Sequence, residues 1–181
     1  MKLRKTTSLL LIIAIAFFML SCDRKEQSEK EEQKSEQKEQ IEQEREVTVE
    51  EVPAEVLQVF NETYPGATIK EYSEEIEDSL TFYEISFEFE GRKIDAVYKP
   101  DGQVEAIEEI ISAEQLPEAV QEAISNTFTQ FTIEIAEKIE TEGKNLFEVV
   151  ISDKDSNKIY EIVYSDSGAV VGKELKKEIN D

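Results

Sequence analysis

Three sets of residues in this chain have types and spacing that could do chemistry. Cys22 is the single cysteine, set between the apolar run ending FFMLS and the charged run DRKE. Asp153, Asp155 and Asn157 have the D-x-D-x-N spacing that opens a calcium loop. Lys158 stands where that loop needs glycine and Tyr164 where it needs a closing glutamate. A polar hairpin turn is the competing reading, and calcium held there would be held loosely. The third set is the paired carboxylates, such as Glu74-Glu75, Glu77-Asp78 and Glu108-Glu109. Glycoside hydrolysis needs two carboxylates a few Å apart in a cleft, but acids are too abundant here to single out any pair.

The rest of the composition narrows the chemistry further. The 181 residues include no histidine and no tryptophan. That removes the commonest general base and metal ligand, and it excludes Cys-His and Ser-His-Asp machinery. One cysteine allows no intramolecular disulfide. The sequence is therefore expected to be non-enzymatic, with no cofactor. Its net charge of −22 repels a phosphate backbone, so nucleic acid is not an expected partner. A basic protein, a cationic peptide or a divalent cation such as calcium suits it better.

The N-terminus places Cys22. Lys2, Arg4 and Lys5 precede twelve unbroken apolar residues, Leu9 to Leu20. That run is short of the roughly 20 residues of a bilayer-spanning helix and matches a signal-peptide core. Met19-Leu20-Ser21-Cys22 resembles the bacterial lipobox, with Met19 departing from the usual leucine. The resemblance implies cleavage before Cys22 and acyl chains on the new N-terminus. Two or more chains anchor a protein stably in a membrane. The expected location is the bacterial cell envelope, lipid-anchored, at the outer rather than the inner membrane. Asp23 and its charged neighbours resemble a surface-export signal in some bacteria and an inner-membrane retention signal in others.

Residues 23–46 contain one apolar residue, Ile41. Such a segment buries too little to offset its ordering entropy and reads as a spacer. Beyond it the chain repeats. VPAEVLQVF and LPEAVQEAI start 64 residues apart, and FYEISFEF lies over LFEVVISD at the same offset. YKPDGQV matches YSDSGAV at an offset of 66. Each copy opens with proline at a helix start, where its missing N–H costs nothing. Apolar residues then recur at helical spacing, at Val52, Val56, Val59 and Phe60, and at Leu116, Val120, Ala123 and Ile124.

Alternating strands follow, with turns at Glu90-Gly91, Pro100 to Gly102, Asp153 to Lys158 and Ser165 to Gly168. The expected fold class is α+β, as two tandem repeats, each one helix packed on about four antiparallel strands. Units of about 65 residues are marginal alone, which favours a shared interface or one continuous sheet. The divisions are a leader over 1–21, the lipidated cysteine and flexible linker over 22–51, and units over 52–112 and 113–181.

Over residues 52 to 175 this pattern resembles the PepSY-like domains, in the group likened to beta-lactamase inhibitory proteins. The resemblance rests on the helix openings at Pro53 and Pro117, and on Tyr64-Pro65-Gly66-Ala67. It rests also on the strands at Tyr83 and Phe147, and on the turns Tyr98–Gly102 and Tyr164–Gly168. It implies a non-catalytic envelope module that binds or restrains a partner protein or peptidase. The alternative is an acidic, calcium-binding or structural envelope lipoprotein. Aromatic residues among acids suit protein recognition, so the interface candidates are Tyr72, Phe82, Glu84, Glu88, Tyr160 and Tyr164. Packing between strands is the competing reading for the tyrosines.

Overall fold

The structure, a computed structural model, describes residues 43–77 and 79–178. Cys22, the leader and most of the charged linker lie outside the described residues.

Two helices and one sheet make up the described fold. Helix α1 (Ala54–Thr63) follows Pro53, which occupies the N-cap position, and α2 (Glu118–Thr127) follows Pro117 in the same way. Val56 and Phe60 are buried one turn apart on α1, as are Val120 and Ile124 on α2. A single 3-10 turn precedes each helix. In the first, the Glu51 carboxylate accepts from the Thr48 backbone N–H at 2.9 Å. In the second, Gln115 Oε1 accepts from the Ser112 N–H at 2.8 Å.

The strands are β1 (Gln43–Glu46), β2 (Thr68–Glu77), β3 (Leu80–Phe89), β4 (Arg92–Tyr98), β5 (Val104–Ile110), β6 (Phe131–Thr141), β7 (Lys144–Asp153), β8 (Lys158–Ser165) and β9 (Val170–Glu178). They pair in chain order, each antiparallel to the next, in one nine-stranded sheet.

This corrects the expected fold class. The described residues are mostly β, a single continuous sheet with two helices rather than two tandem helix-plus-four-strand bodies. The join is a ladder, with Ala106 opposite Thr141 and Ile110 opposite Glu137. Pairing β5 with β6 satisfies backbone groups that two separate sheets would leave on open edges.

A second correction concerns the linker expected through residue 51. Its last residues belong to the fold. Strand β1 pairs along β2, and the Val47 N–H donates to the Tyr72 carbonyl at 2.9 Å. The Arg45 guanidinium reaches Glu74 and Glu51, both at 2.9 Å, tying the strand to the following turn.

Local details recur at the sequence offsets although the sheet is single. Register shifts fall at Ile69/Glu71 and Ile133/Ile135, and again at Val97/Tyr98 and Val163/Tyr164. Each of the first pair turns its strand over partway, so that Ile69 and Tyr72 both pack toward α1. Two apolar clusters form on the helix side. One holds Val56, Phe60, Ile85, Phe87, Ile94 and Tyr98; the other holds Val120, Ile124, Val149, Ile151, Ile162 and Tyr164. Phe87 meets Phe60 edge-on at 4.9 Å and lies 4.6 Å from Tyr64.

Candidate functional site

With both helices on one side of the sheet, strand alternation fixes what the other side carries. One acid comes from each of seven successive strands: Glu75, Glu84, Asp95, Glu108, Glu137, Glu148 and Glu161, from β2 to β8. Glu174 of β9 continues the row.

The register shows how they line up. Asp95 is directly opposite Glu108, Glu137 opposite Glu148, and Glu161 opposite Glu174. The remaining steps are diagonal. Glu84 is opposite Val97, two residues from Asp95, and Glu148 is opposite Val163, two residues from Glu161. The row therefore slants across the sheet, and its width over seven strands is roughly 29 Å at the usual strand spacing.

These acids are not a loose solvated fringe. Glu75, Glu84, Glu108 and Glu161 are buried, beside Phe82, Val97, Ala106 and Val163 on the same face. Desolvation disfavours the ionised form, and neighbouring acids add to it. Burial first, then the charges of Glu75, Asp95 and Glu108, push the Glu84 carboxyl up to about 9. Glu84 shares a hydrogen bond with the Glu75 carboxyl and accepts one from the Ser86 hydroxyl at 3.3 Å. Burial, then the charges of Glu161 and Glu137, raises Glu148 to about 8, and burial, then Asp95 and Glu161, raises Glu137 to about 7. Glu108 is pushed well above the carboxylate range by burial, then by Glu137 and Glu148. Its Oε1 has no hydrogen-bond partner among the described residues.

Lys176 marks the β9 end of the row. Its Nζ lies 3.0 Å from Glu161 and 3.4 Å from Glu174. Among the described residues no salt bridge forms at Glu84, Glu108, Glu137 or Glu148.

The sequence-derived candidates do not form one surface. Phe82 and Glu84 lie on the acidic face, both buried. Glu88 points to the same side near the end of β3, is exposed, and pairs with Lys70 at 3.3 Å. The three tyrosines lie on the helix side. Tyr72 packs against the first cluster and Tyr164 is buried inside the second. Tyr160 sits 5.8 Å from Phe128, with the Lys173 ammonium 4.3 Å above its ring. Alternation with Glu161 and Val163 puts Tyr160 and Tyr164 there, and pairing with Ile85 puts Tyr72 there.

Asp153 is likewise explained by its turn. One carboxylate oxygen accepts the Asp155 N–H at 3.1 Å and the other accepts the Ser156 hydroxyl at 2.5 Å. Both oxygens close the β7–β8 hairpin, and Asn157 takes the left-handed conformation that such a turn needs, with φ 54°. No group of three acids among the described residues is arranged to hold a metal ion. Asp153, Asp155 and Asn157 thus build the β7–β8 hairpin turn.

Of the row, sequence reasoning singled out only Glu84 as an interface residue. The repeat carried a signal for more. Glu84 and Glu148 are 64 residues apart, while Asp95 and Glu161, and Glu108 and Glu174, are 66 apart. Acids thus stand at equivalent strand positions in both halves.

The fold matches solved structures. A DUF2874 family protein from Bacteroides uniformis ATCC 8492 superposes with a TM-score of 0.58 at 15% identity, over 68% of this chain and 88% of that one. A BLIP-like protein from Bacteroides fragilis NCTC 9343 gives 0.55 at 18% identity, over 71% and 89%. A protein inferred to be periplasmic from Bacteroides eggerthii DSM 20697 gives 0.60 at 17% identity, over 68% and 88%. The chain therefore has the fold shared by the BLIP-like and DUF2874 structures. No family model matches it, and no curated protein matches it.

Proposed function

We propose that this protein is a lipid-anchored, non-catalytic binding module of the bacterial envelope that holds a basic protein segment on its acidic sheet face. The observation that carries this reading is the row from Glu75 to Glu161, one carboxyl per strand on the side away from both helices. Complementary potential is what draws and orients a charged partner. A row of about 29 Å matches an extended segment of roughly nine residues. A chain with net charge −22 and no histidine supports binding over catalysis. The fold likeness to a BLIP-like protein supports it too, as does the likeness to a protein inferred to be periplasmic.

Anchoring rests on Cys22. Acyl chains there hold the protein to the membrane, at the outer rather than the inner membrane. The segment from residue 23 to β1 carries the folded part away from the lipid. Restraint of the partner follows if the bound segment is one the partner needs free. Labelled palmitate should enter the wild-type chain and not Cys22→Ala; label retained in the variant overturns the anchor.

The binding reading is tested by capture with the full chain from envelope extract, comparing wild type with Glu84→Lys and with Glu122→Lys on the exposed side of α2. A basic partner held at unit stoichiometry, lost with Glu84→Lys and kept with Glu122→Lys, supports the acidic face. Equal retention by both variants overturns it. Calcium-dependent stabilisation with no partner favours a cation-binding envelope protein instead.

A further inference from the structure

The acidic row contains an internal example of how it takes a cation. Glu161 and Glu174 face each other across β8 and β9, a like-charge pair that destabilises a sheet when left alone. Lys176, two residues along β9, lies over the pair and contacts both carboxylates. Glu137 and Glu148 repeat the direct opposition across β6 and β7, and there no lysine or arginine among the described residues forms a salt bridge, the Lys176 charge reaching Glu148 only at longer range. Glu108 completes a group of three, since Glu137 and Glu148 are the acids that act on it most strongly. Only 4% of Glu108 is exposed, and its Oε1 has no partner. A buried oxygen with no donor is costly, and a charge-assisted hydrogen bond removes that cost.

We propose that Glu108, Glu137 and Glu148 form a seat for one cationic side chain of the basic partner, a lysine ammonium or an arginine guanidinium, which enters in exchange for protons. The seat rests on the reading of the acidic face as a partner surface and specifies what the partner must present. A metal ion fits less well. Calcium needs six to eight oxygens at 2.3–2.6 Å, and no three acids among the described residues are arranged to hold an ion. An ammonium carries three donors and a guanidinium five, at hydrogen-bond rather than coordination distance.

The exchange follows from the surroundings of the seat. Glu75 of β2 and Asp95 of β4 act on Glu108, Asp95 and Glu161 act on Glu137, and Glu161, Glu174 and Lys176 act on Glu148. Every one of these except Lys176 is an acid, so at neutral pH part of the seat is protonated. An arriving cation favours the ionised carboxylates, and the displaced protons go to solvent. Binding should therefore strengthen as pH rises from about 6 to about 9.

Titration calorimetry of the full chain in detergent micelles, with a hexa-arginine peptide as probe, tests the proposal. The compared variants are Glu137→Gln/Glu148→Gln, the single Glu148→Gln, and the exposed control Glu118→Gln/Glu122→Gln. Glutamine mimics the protonated acid, and the single variant guards against misfolding of the double. The expected result is a loss of at least tenfold in affinity for the double variant at pH 7.5, an intermediate loss for the single, and less than twofold for the control. Two buffers of different ionisation enthalpy should report proton release for wild type and less for the double variant.

Equal losses in the double variant and the control overturn the seat while leaving a basic partner elsewhere on the acidic face. Seat-dependent binding without proton release overturns the exchange. No binding of the peptide at all overturns both the seat and the basic-partner reading. Calcium that binds in its place with the same dependence on Glu148 assigns the seat to a metal and overturns the side-chain proposal.

Discussion

Glu137 and Glu148 face each other directly across β6 and β7, two carboxyls on one side of the sheet, and among the described residues neither forms a salt bridge. A sheet rarely tolerates that unless at least one is neutral or a cation arrives from elsewhere.

The first expectation is a pH profile. In an unfolded chain glutamate ionises near 4.3. In the fold Glu137 is raised to about 7, Glu148 to about 8 and Glu84 to about 9, all chiefly by burial. Below the unfolded value the groups are protonated in both states and this contribution to stability is complete. Above it the unfolded chain releases protons first, so stability falls as pH rises through the folded values. Glu51 and Asp153 act in the opposite sense. Hydrogen bonds hold both below the usual range, so their contribution is lost in acid. Thermal unfolding of the full chain should give a maximum near pH 5 and a decline toward pH 9. Glu137→Gln/Glu148→Gln should flatten the alkaline limb. A melting temperature that climbs from pH 5 to pH 9 would sink the assignment.

Two turns press against the helices, and one glycine there should be irreplaceable. Gly168 has φ +79°, and a β-carbon on it would run into the backbone carbonyl of Ala119 in α2. Gly102 has φ +83°, and its β-carbon would lie 2.9 Å from the Glu55 carbonyl oxygen. Gly66 has a similar φ, +84°, with open space around it. Gly66→Ala should cost about 1 kcal/mol from backbone strain alone. Gly168→Ala adds a clash with backbone and should cost about 2–4 kcal/mol. Urea unfolding of the two variants separates the terms, and equal midpoints would refute the contact.

Tyr98 is fully buried in the first cluster, and its hydroxyl has no hydrogen-bond partner among the described residues. Desolvation pushes its ionisation upward. An unsatisfied buried hydroxyl costs about 1–3 kcal/mol. Tyr98→Phe keeps the ring and removes that cost, so the variant should be as stable as wild type or more stable by up to about 2 kcal/mol. A loss of more than 1 kcal/mol in denaturant unfolding would mean that the hydroxyl is satisfied.

Lys176 is the cation that closes the acidic row at β9. Lys176→Met keeps most of the aliphatic stem and leaves Glu161 opposite Glu174 without a counter-charge. Its side chain is about one third exposed, so the pair contributes about 1 kcal/mol or less. The loss should shrink as salt is raised, because screening weakens both the attraction removed and the repulsion exposed. A loss independent of salt points to packing of the stem instead.

Much of the fold was legible wherever one rule governed. Pro53 and Pro117 set the helix starts, and the strict alternation of Tyr83, Ile85 and Phe87 placed their face of β3. The turn glycines at 91, 102 and 168 were marked by their neighbours. The site was less legible. With 42 acids in the chain, no single glutamate stands out, and the row is assembled from seven strands whose side-by-side order no local pattern states. Tyr160 and Tyr164 looked like exposed rings among acids because the adjacent Glu161 points the other way.

The sequence by itself determined the local geometry, because helix caps, turn glycines and side-chain alternation depend on residues a few positions apart. It also determined that the chain is strongly acidic and has no histidine. Tertiary structure alone decided that the two halves share one sheet, because the β5–β6 ladder joins residues about thirty apart that nothing local specifies. It decided too that Gln43–Glu46 becomes a strand, since that segment gains its order only by pairing with β2. The bulges at Ile69/Glu71 and Ile133/Ile135 turn β2 and β6 over partway, an event with no period-two signature. The lateral pairing of strands then brought Glu108, Glu137 and Glu148 together, where burial and mutual repulsion push ordinary acids above the usual carboxylate range.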